Sequence, residues 1–395
     1  MFQSGLGCES KNEALVGVPP DNGLEDDRKV AETKGATTDG TTISWFHAAA
    51  RAISGGPVYV SDRLGQHNTD ILNKLVLDDG SVLRAKTNAL PTLDCLMRDP
   101  QLEGGGLLQI WALNAVPGTG VVGSFNIRGA SYSQEKRTWV SLEDDTVHMV
   151  KGTVSASDVH AFAREIPTAE EIDETAKAQG GKDEASFEAG EGRGTSMYAM
   201  YLHHKKTARV MFLKESVPIE IASLGFELAT ISRVLEIGHP RARDGGTNVS
   251  REGSLNPPNG VVLWAAIGLC DMLNSSAAIS NQKVINSNIS DGEKGSAPAA
   301  TASAVVVALS VQGSGRFWAL ASRGPNRCSL QASCNEDDGN SSAVALQISF
   351  KPLLEKTLIG EGEGAGVSGI PEMGVVEVDI PGPWDGRERR LVFKF

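Results

Sequence analysis

The chain has 395 residues, of which 40% are hydrophobic, and its 37 Lys and Arg against 49 Asp and Glu give a formal net charge of −12. This negative charge opposes contact with phosphate backbones and anionic membranes, so we expect neither nucleic acid nor a membrane as partner. No run approaches the ~20 apolar residues of a transmembrane helix, and Met1 is not followed by a signal-peptide pattern. We therefore expect a cytoplasmic protein.

The cysteines and the glycine-rich segments predict no metal and no cofactor. The five cysteines form no Cys-x-x-Cys pair and are odd in number, which argues against a zinc site or a disulfide framework and favours free thiols. The Gly-Glu-Gly segments at 190–194 and 360–364 do not lie between a strand and a helix, so we interpret them as flexible loops and not as nucleotide-binding turns.

The first 80 residues divide into an irregular part and a helix-strand-helix part. Residues 5–42 are rich in Gly, Asp, Glu, Lys and Thr without a sustained period, which predicts a disordered insert or surface loop. Within 43–53 apolar residues recur at helical spacing, and a Gly-Gly-Pro break follows. Residues 57–60 are then predicted as a short buried strand, and 71–76 as a second amphipathic helix.

From about residue 81 the pattern changes to many short strands with turn residues between them. We predict strands at 107–113, 121–127, 146–154, 197–202, 208–213, 219–221, 226–231, 261–266, 304–311, 317–321, 344–350, 375–380 and 390–395. This pattern is typical of an antiparallel β-sandwich. Charged or Gly-rich interruptions at 165–194 and 281–298 predict long solvated loops. The predicted fold class is mainly β with a small α/β part.

Candidate binding residues lie around the Gly-Gly-Pro break. The predicted strand delivers Ser61 and Asp62 to its C-terminal tip, where α/β architectures place binding groups. Asp62 could equally be a helix N-cap or turn residue. His47 and Arg51 are one helical turn apart and could reach the same site, although a structural ion pair or cap is the favoured alternative.

Other aromatic and histidine residues have a structural interpretation beside the functional one. His67 could contact a bound ligand, but an exposed loop histidine is the simpler interpretation. Trp111 and Trp318 could stack on a ligand, yet at strand positions they are expected in the core. His203 and His204 have no partner at metal-ligand spacing, so we expect solvated residues at the end of a strand.

Several long motifs resemble the raffinose synthase and seed imbibition protein family. The first is His-Ala-Ala-Ala-Arg-Ala-Ile-Ser-Gly-Gly-Pro-Val-Tyr-Val-Ser-Asp at 47–62, followed by Gly65-x-His67. Further similar segments are Leu-Pro-Thr-x-Asp-Cys-Leu at 90–96, Gln-Ile-Trp-Ala-Leu-Asn at 109–114, Gly-Val-Val-Gly-Ser-Phe-Asn at 120–126 and Ile-Gly-Leu-Cys-Asp-Met-Leu-Asn at 267–274.

The resemblance implies a (β/α)8 barrel followed by a C-terminal β-sandwich. In that arrangement, residues 1–4 would match the end of the seventh barrel segment and 5–42 would be an insert. Residues 43–80 would be the last helix-strand-helix of the barrel, and 81–395 would be the sandwich. Ser61, Asp62, His47 and Arg51 would then line a sugar subsite.

The activity that the resemblance implies is transfer of galactose from galactinol to sucrose, or hydrolysis of α-galactosides, by a retaining two-carboxylate mechanism. The family's nucleophile lies in a Lys-Val-Asp strand and its acid/base in a Ser-Asp-Asp segment, and neither motif occurs in these 395 residues. We therefore predict no catalytic residue here. Leu93 and Met97 also replace a common Arg and a common Phe. A non-catalytic carbohydrate-binding protein and a nonfunctional fragment remain alternatives.

Overall fold

The computed structural model describes residues 43–65, 67–101, 106–128, 130–133, 138–141, 149–164, 196–238, 261–288, 303–332, 343–353, 372–383 and 386–395. The predicted barrel segment at 1–4, the insert at 5–42, the loop at 165–194 and residues 289–298 lie outside these ranges.

Helices are few and mostly short in the described part of the chain. They are Ile43–Ile53 (α1), Thr69–Leu72 (α2), Leu93–Leu96 (α3) and His160–Arg164 (α4). The helix predicted at 43–53 is confirmed. The second predicted helix is only the single turn α2, which ends before residues 73–76 because the chain turns there and Val76 forms an isolated β-bridge with Val82.

Strands make up most of the described structure, which confirms the mainly β prediction. They are Leu90–Pro91 (β1), Leu108–Leu113 (β2), Thr119–Phe125 (β3), Ala130–Ser133 (β4), Thr138–Ser141 (β5), Val150–Ser155 (β6), Met197–Leu202 (β7), Thr207–Phe212 (β8), Ser216–Ile221 (β9), Phe226–Arg233 (β10), Leu235–Gly238 (β11), Val261–Leu269 (β12), Ile279–Asn288 (β13), Ser303–Val311 (β14), Gly315–Ala321 (β15), Arg327–Ala332 (β16), Ala343–Leu346 (β17), Ile348–Pro352 (β18), Gly374–Ile380 (β19) and Arg389–Lys394 (β20).

These strands form three larger sheets and two strand pairs, and the pairings among the described strands are antiparallel. The six-stranded sheet has the order β1-β2-β3-β10-β7-β8. The two five-stranded sheets have the orders β11-β12-β15-β19-β18 and β13-β14-β20-β16-β17. The pairs are β4-β5 and β6-β9.

The two five-stranded sheets share one hydrophobic core. Trp264 of β12 and Phe317 of β15 contact Phe393 of β20, with ring centroids 4.9 and 6.1 Å apart. Apolar side chains from both sheets surround these rings. Because successive side chains of a strand point to opposite faces, the neighbouring residues of β12 and β15 are free to pack elsewhere.

The six-stranded sheet is covered on both faces. One face packs against the β6-β9 pair. The opposite face is covered by α1 over β2, β3 and β10, and by the β12-β15 side of the first five-stranded sheet over β7 and β8. At the second of these contacts, the rings of Tyr201 and Trp318 meet edge to face with centroids 5.4 Å apart. The sheets therefore form consecutive layers.

Helix α1 lies close to the sheet because β3 has a glycine beneath it. A Cβ atom at Gly123 would lie 2.4 Å from the Cδ1 atom of Ile53, a separation that real side chains do not reach. Ile53 itself is fully buried, and Phe46 packs against Phe125 with ring centroids 5.2 Å apart. The motif at 120–126 thus contains a helix-packing site.

Two predicted elements are wrong. Residues 57–60 form no part of the described strands, and Tyr59 is 60% and Val60 38% exposed. An apolar composition produces burial only where another surface packs against it, and only Val58 of this segment packs onto the core beneath α1. Residues 281–288, predicted as a loop, belong to β13 because β14 pairs with them as far as Asn288.

A buried asparagine pair joins three distant parts of the chain. The side-chain amide of Asn114, just after β2, donates to Oδ1 of Asn274 at 3.0 Å and also to the hydroxyl of Ser276. The amide of Asn274 donates back to Oδ1 of Asn114 at 3.2 Å and to the carbonyl oxygen of Ala52 in α1 at 3.3 Å. Both asparagines are buried, and both end motifs identified in the sequence.

We expect Asn274→Ala to lower the free energy of unfolding by roughly 2–3 kcal/mol, because it leaves buried polar groups of Asn114 and Ala52 without this partner. Urea unfolding measures the change. Asn281→Ala, at an exposed position of β13, is the matched control and should change stability by less than about 0.5 kcal/mol. Equal effects of the two substitutions would show that the buried pair contributes nothing particular.

Candidate functional site

Helix α1 places His47 and Arg51 beside its buried face. That face consists of Ser44, Ala48, Ala49, Ala52 and Ile53, whereas His47 and Arg51 are half-buried. Burial, and after it the positive charge of Arg51, lowers the pKa of His47 below its ordinary value. His47 is therefore a neutral imidazole near neutral pH, able both to donate and to accept a hydrogen bond.

The Gly-Gly-Pro break fixes the exit from α1. The hydroxyl of Ser54 donates to the carbonyl oxygen of Arg51 at 2.9 Å. Gly55 then has φ +73°, and a Cβ there would lie 2.2 Å from the carbonyl oxygen of Thr87. Only glycine fits both constraints, so Gly55 serves the tight turn. The backbone N–H of Ala89 donates to the carbonyl oxygen of Ser54 at 3.1 Å and strengthens this anchor.

Asp62 and His67 form a pair in the loop between α1 and α2. Oδ2 of Asp62 lies 3.1 Å from Nδ1 of His67. The Asp62 side chain is 1% exposed and the His67 side chain 43% exposed. The carboxylate is thus turned into the protein and the imidazole toward solvent. Ser61, next to Asp62, is exposed.

The N-cap of α2 is Asn68 and not Asp62. Oδ1 of Asn68 accepts hydrogen bonds from the backbone N–H groups of Asp70 at 3.1 Å and Ile71 at 3.2 Å. Of the sequence-predicted residues, the structure therefore brings Asp62 together with His67, whereas His47 and Arg51 are brought together by the helix that they share. The pairing with His67 was missed by sequence reasoning, although Gly65-x-His67 stands in the motif that contains Asp62.

The tryptophans behave largely as expected. Trp111 is buried in the core between the six-stranded sheet and the β6-β9 pair. Trp318 is half-buried, and its indole N–H donates to Oε2 of Glu377 on the paired strand at 3.0 Å. Leu93 and Met97 are both exposed.

His203 differs from its prediction. It was expected to be a solvated residue at a strand end, and this is wrong, because the residue is half-buried at the end of β7 and its Nδ1 atom is buried. Burial, and next the charge of Lys74, lowers its pKa to about 4. His204 is exposed as predicted, and its ring lies near Phe226.

An ion pair that the sequence did not indicate lies at the same end of the six-stranded sheet. Arg316 of β15 binds Asp271 through Nε at 2.9 Å and through a second guanidinium nitrogen. This side-chain hydrogen bonding lowers the pKa of Asp271. Both side chains are partly exposed, so their bidentate geometry matters more than their charge for holding the loop after β12.

Two carboxyl groups, of the buried Glu227 and the half-buried Asp158, hold backbone turns. Glu227 at the start of β10 accepts from the backbone N–H groups of His204 at 2.7 Å and Leu228 at 3.1 Å. Asp158 accepts from the backbone N–H of Ser155 at 2.7 Å in a capping box. Burial raises the pKa of both groups, that of Glu227 to about 7. A retaining glycosidase needs two carboxylates about 5 Å apart that face a sugar. Glu227 and Asp158 instead accept hydrogen bonds from backbone N–H groups.

The described residues contain no group of three or more His, Cys, Asp or Glu that could hold a metal ion. No helix in the described ranges is long and apolar enough to cross a membrane. Three of the five cysteines, Cys95, Cys270 and Cys328, are described, and each is a free thiol as predicted.

The fold thus defines a protein built of layered antiparallel sheets, with one pair of polar residues on helix α1 and a second pair in the loop that follows it. Residues 40–348 match the family of raffinose synthase or seed imbibition protein Sip1. The chain belongs to this family.

Curated relatives are similar over most of the chain. The probable galactinol-sucrose galactosyltransferase 6 of Arabidopsis thaliana is 31% identical over 313 residues, which cover 79% of this chain and 34% of the relative. The galactinol-sucrose galactosyltransferase of Pisum sativum is 30% identical, with 77% and 30% covered. Stachyose synthase of Pisum sativum is 27% identical, with 74% and 27% covered. The chain spans about a third of the length of such relatives.

Among solved structures, an isomalto-dextranase of Arthrobacter globiformis T6 complexed with panose aligns with 90% of this chain and 48% of its own. The TM-score is 0.23 and the identity 11%, and this likeness supports no inference about fold or function.

Glu227 gives the protein a pH dependence that can be measured. Its folded-state pKa of about 7 lies above the ordinary 4.5, so folding favours the protonated carboxyl and the wild type loses stability as pH rises through this range. Glu227→Gln cannot ionise. We expect its free energy of unfolding, relative to wild type, to be greater at about pH 8 than at about pH 5 by roughly 2–3 kcal/mol.

The matched control is Glu220→Gln, at an exposed position of β9, whose difference from wild type should stay constant between the two pH values. The opposite contribution of His203 is present in every protein compared and cancels. If the difference in unfolding free energy between Glu227→Gln and wild type did not depend on pH, this result would contradict the raised pKa of Glu227.

Proposed function

We propose that this chain is a raffinose synthase-like protein of α-galactoside metabolism, acting on galactinol, sucrose and raffinose-type sugars. The observation that carries the proposal is the match of residues 40–348 to the family. The relatives named galactinol-sucrose galactosyltransferase and stachyose synthase support transfer of galactose between sugars as the reaction to which the chain contributes.

We further propose that residues 43–80 are the last helix-strand-helix of a (β/α)8 barrel and that 81–395 form a β-sandwich domain. Support for the first part comes from helix α1 and from the exposed Tyr59 and Val60, because residues 57–60 form no strand here and would need neighbouring strands on both sides to become one. Support for the second part comes from the two five-stranded sheets that share one core.

The role proposed for this chain is to form part of the sugar site without performing the chemistry. In retaining transfer, one carboxylate attacks the anomeric carbon and a second protonates the leaving oxygen, then activates the acceptor. The Lys-Val-Asp and Ser-Asp-Asp motifs that hold these groups in the family are absent from this sequence. Ser61, Asp62, His47 and Arg51 are left to form the wall of the sugar site.

Two alternatives to galactosyl transfer between sugars are hydrolysis of the galactoside and sugar binding without any reaction. An α-galactosidase-type hydrolase would deliver it to water, which depends on how the acceptor site excludes solvent. A non-catalytic carbohydrate-binding protein would bind the sugar without turnover, and the structural roles of Glu227 and Asp158 favour this alternative for the chain taken alone. We place the protein in the cytoplasm, where free thiols are stable.

We expect the purified chain to form no raffinose from galactinol and sucrose and to release no galactose from melibiose, because it lacks the two carboxylates. Anion-exchange chromatography of the reaction mixtures measures both products. The pea galactinol-sucrose galactosyltransferase, assayed in parallel, is the positive control for raffinose formation. Turnover by this chain that is lost on replacing one of its own carboxyl groups, that of Glu227 or Asp158, would contradict the proposal.

A further inference from the structure

We propose that His67 is the residue of this site that contacts the sugar directly, with Nε2 accepting a hydrogen bond from a sugar hydroxyl, and that Asp62 is the positioning residue that holds the imidazole. This inference rests on the proposed function. It reverses the assignment that the sequence favours, in which Asp62 lines the subsite and His67 is an exposed loop residue.

The difference in exposure between the two side chains is the reason for assigning the sugar contact to His67. The two side chains are in contact, with Oδ2 of Asp62 3.1 Å from Nδ1 of His67, yet their exposed fractions are 1% and 43%. A carboxylate buried to that extent cannot reach a sugar in solvent without the loop opening. The imidazole lies between the carboxylate and solvent, so a ligand that approaches the pair meets His67 first.

In this proposal the Asp62 carboxylate is ionised and only accepts hydrogen bonds, so Nδ1 of His67 carries the proton that is shared with Oδ2. In the neutral ring, Nε2 is then unprotonated and is an acceptor. With Nδ1 turned to Asp62, Nε2 is the nitrogen at the ring edge that points away from the carboxylate.

The pair is held at both ends by ordered structure. Asp62 follows the turn at Gly55, which is locked against the carbonyl oxygen of Thr87. His67 directly precedes Asn68, whose side chain caps α2, and α2 is anchored by the fully buried Ile71. An imidazole held in this way loses little conformational freedom when it binds a ligand.

The acceptor nitrogen Nε2 of His67 favours ligands that offer hydrogen-bond donors. A neutral sugar offers hydroxyl donors, which complement Nε2, whereas a phosphate or carboxylate would bring its own acceptor oxygens toward Nε2 and the Asp62 charge. The described residues around this loop also provide no metal-binding group of three or more ligands. The chemistry of the pair therefore fits a polyhydroxyl ligand such as sucrose or galactinol.

The test compares sugar binding by the whole chain and three histidine variants, and it compares the tautomer of His67 in the wild type and in two variants of Asp62. Calorimetry with sucrose and with galactinol gives the affinities, and the ¹⁵N spectrum of the imidazole gives the tautomer. His67→Ala removes the ring. His67→Asn keeps a nitrogen donor near the position of Nδ1, so it can still bind Asp62, but it has no counterpart of Nε2. His204→Ala, at an exposed histidine outside this loop, is the control.

We expect His67→Ala and His67→Asn to weaken binding of the sugar about tenfold, which corresponds to the loss of one hydrogen bond, while His204→Ala binds as wild type. His67→Asn should keep the wild-type unfolding midpoint, which separates sugar contact from loop stability. In wild type, Nδ1 should be protonated and Nε2 should be the nitrogen whose signal moves when sugar is added. Asp62→Asn should shift that tautomer balance, whereas Asp62→Glu should preserve it.

Two results would overturn the inference and leave the proposed function standing. They are sugar binding of wild-type strength by both His67 variants, and a wild-type spectrum with the proton on Nε2. If neither sugar binds the wild-type chain, the inference fails together with the sugar-binding role proposed for the chain, and this outcome is distinct from the first two.

Discussion

The buried hydrogen bonds between Asn114 and Asn274 are the constraint on which the arrangement of the molecule depends. They join the end of β2, the turn after β12 and the backbone of α1 at Ala52. Buried amides have few alternative partners, and leaving one unpaired costs on the order of 1–3 kcal/mol. Hydrophobic packing alone would let the layers shift relative to one another. These hydrogen bonds fix the layers in one relative position.

The position of the candidate site follows from that register. Ala52 belongs to the last turn of α1, and the chain leaves the helix through Gly55, which fits against Thr87. The loop with Asp62 and His67 begins a few residues later. Helix α1 is bound by the side chain of Asn274 and packs onto Gly123 of the sheet, so the loop begins at a rigid point. Asn274 lies more than 200 residues away from Ala52 in the sequence.

The carboxyl groups of Glu227, Asp158 and Asp62 differ in the partners that they bind. Glu227 and Asp158 accept from backbone N–H groups and complete turns. Asp62 instead holds an imidazole that reaches solvent.

The sequence by itself determined the family, helix α1, most of the strands and the residues around 47–67 as the place to look, because local periodicity and motif spacing are properties of neighbouring residues. Only the tertiary structure decided the rest. Whether 57–60 is buried, whether 281–288 pairs with β14, and whether Asp62 or His67 faces solvent all depend on which surface packs against each segment, and those surfaces come from distant parts of the chain.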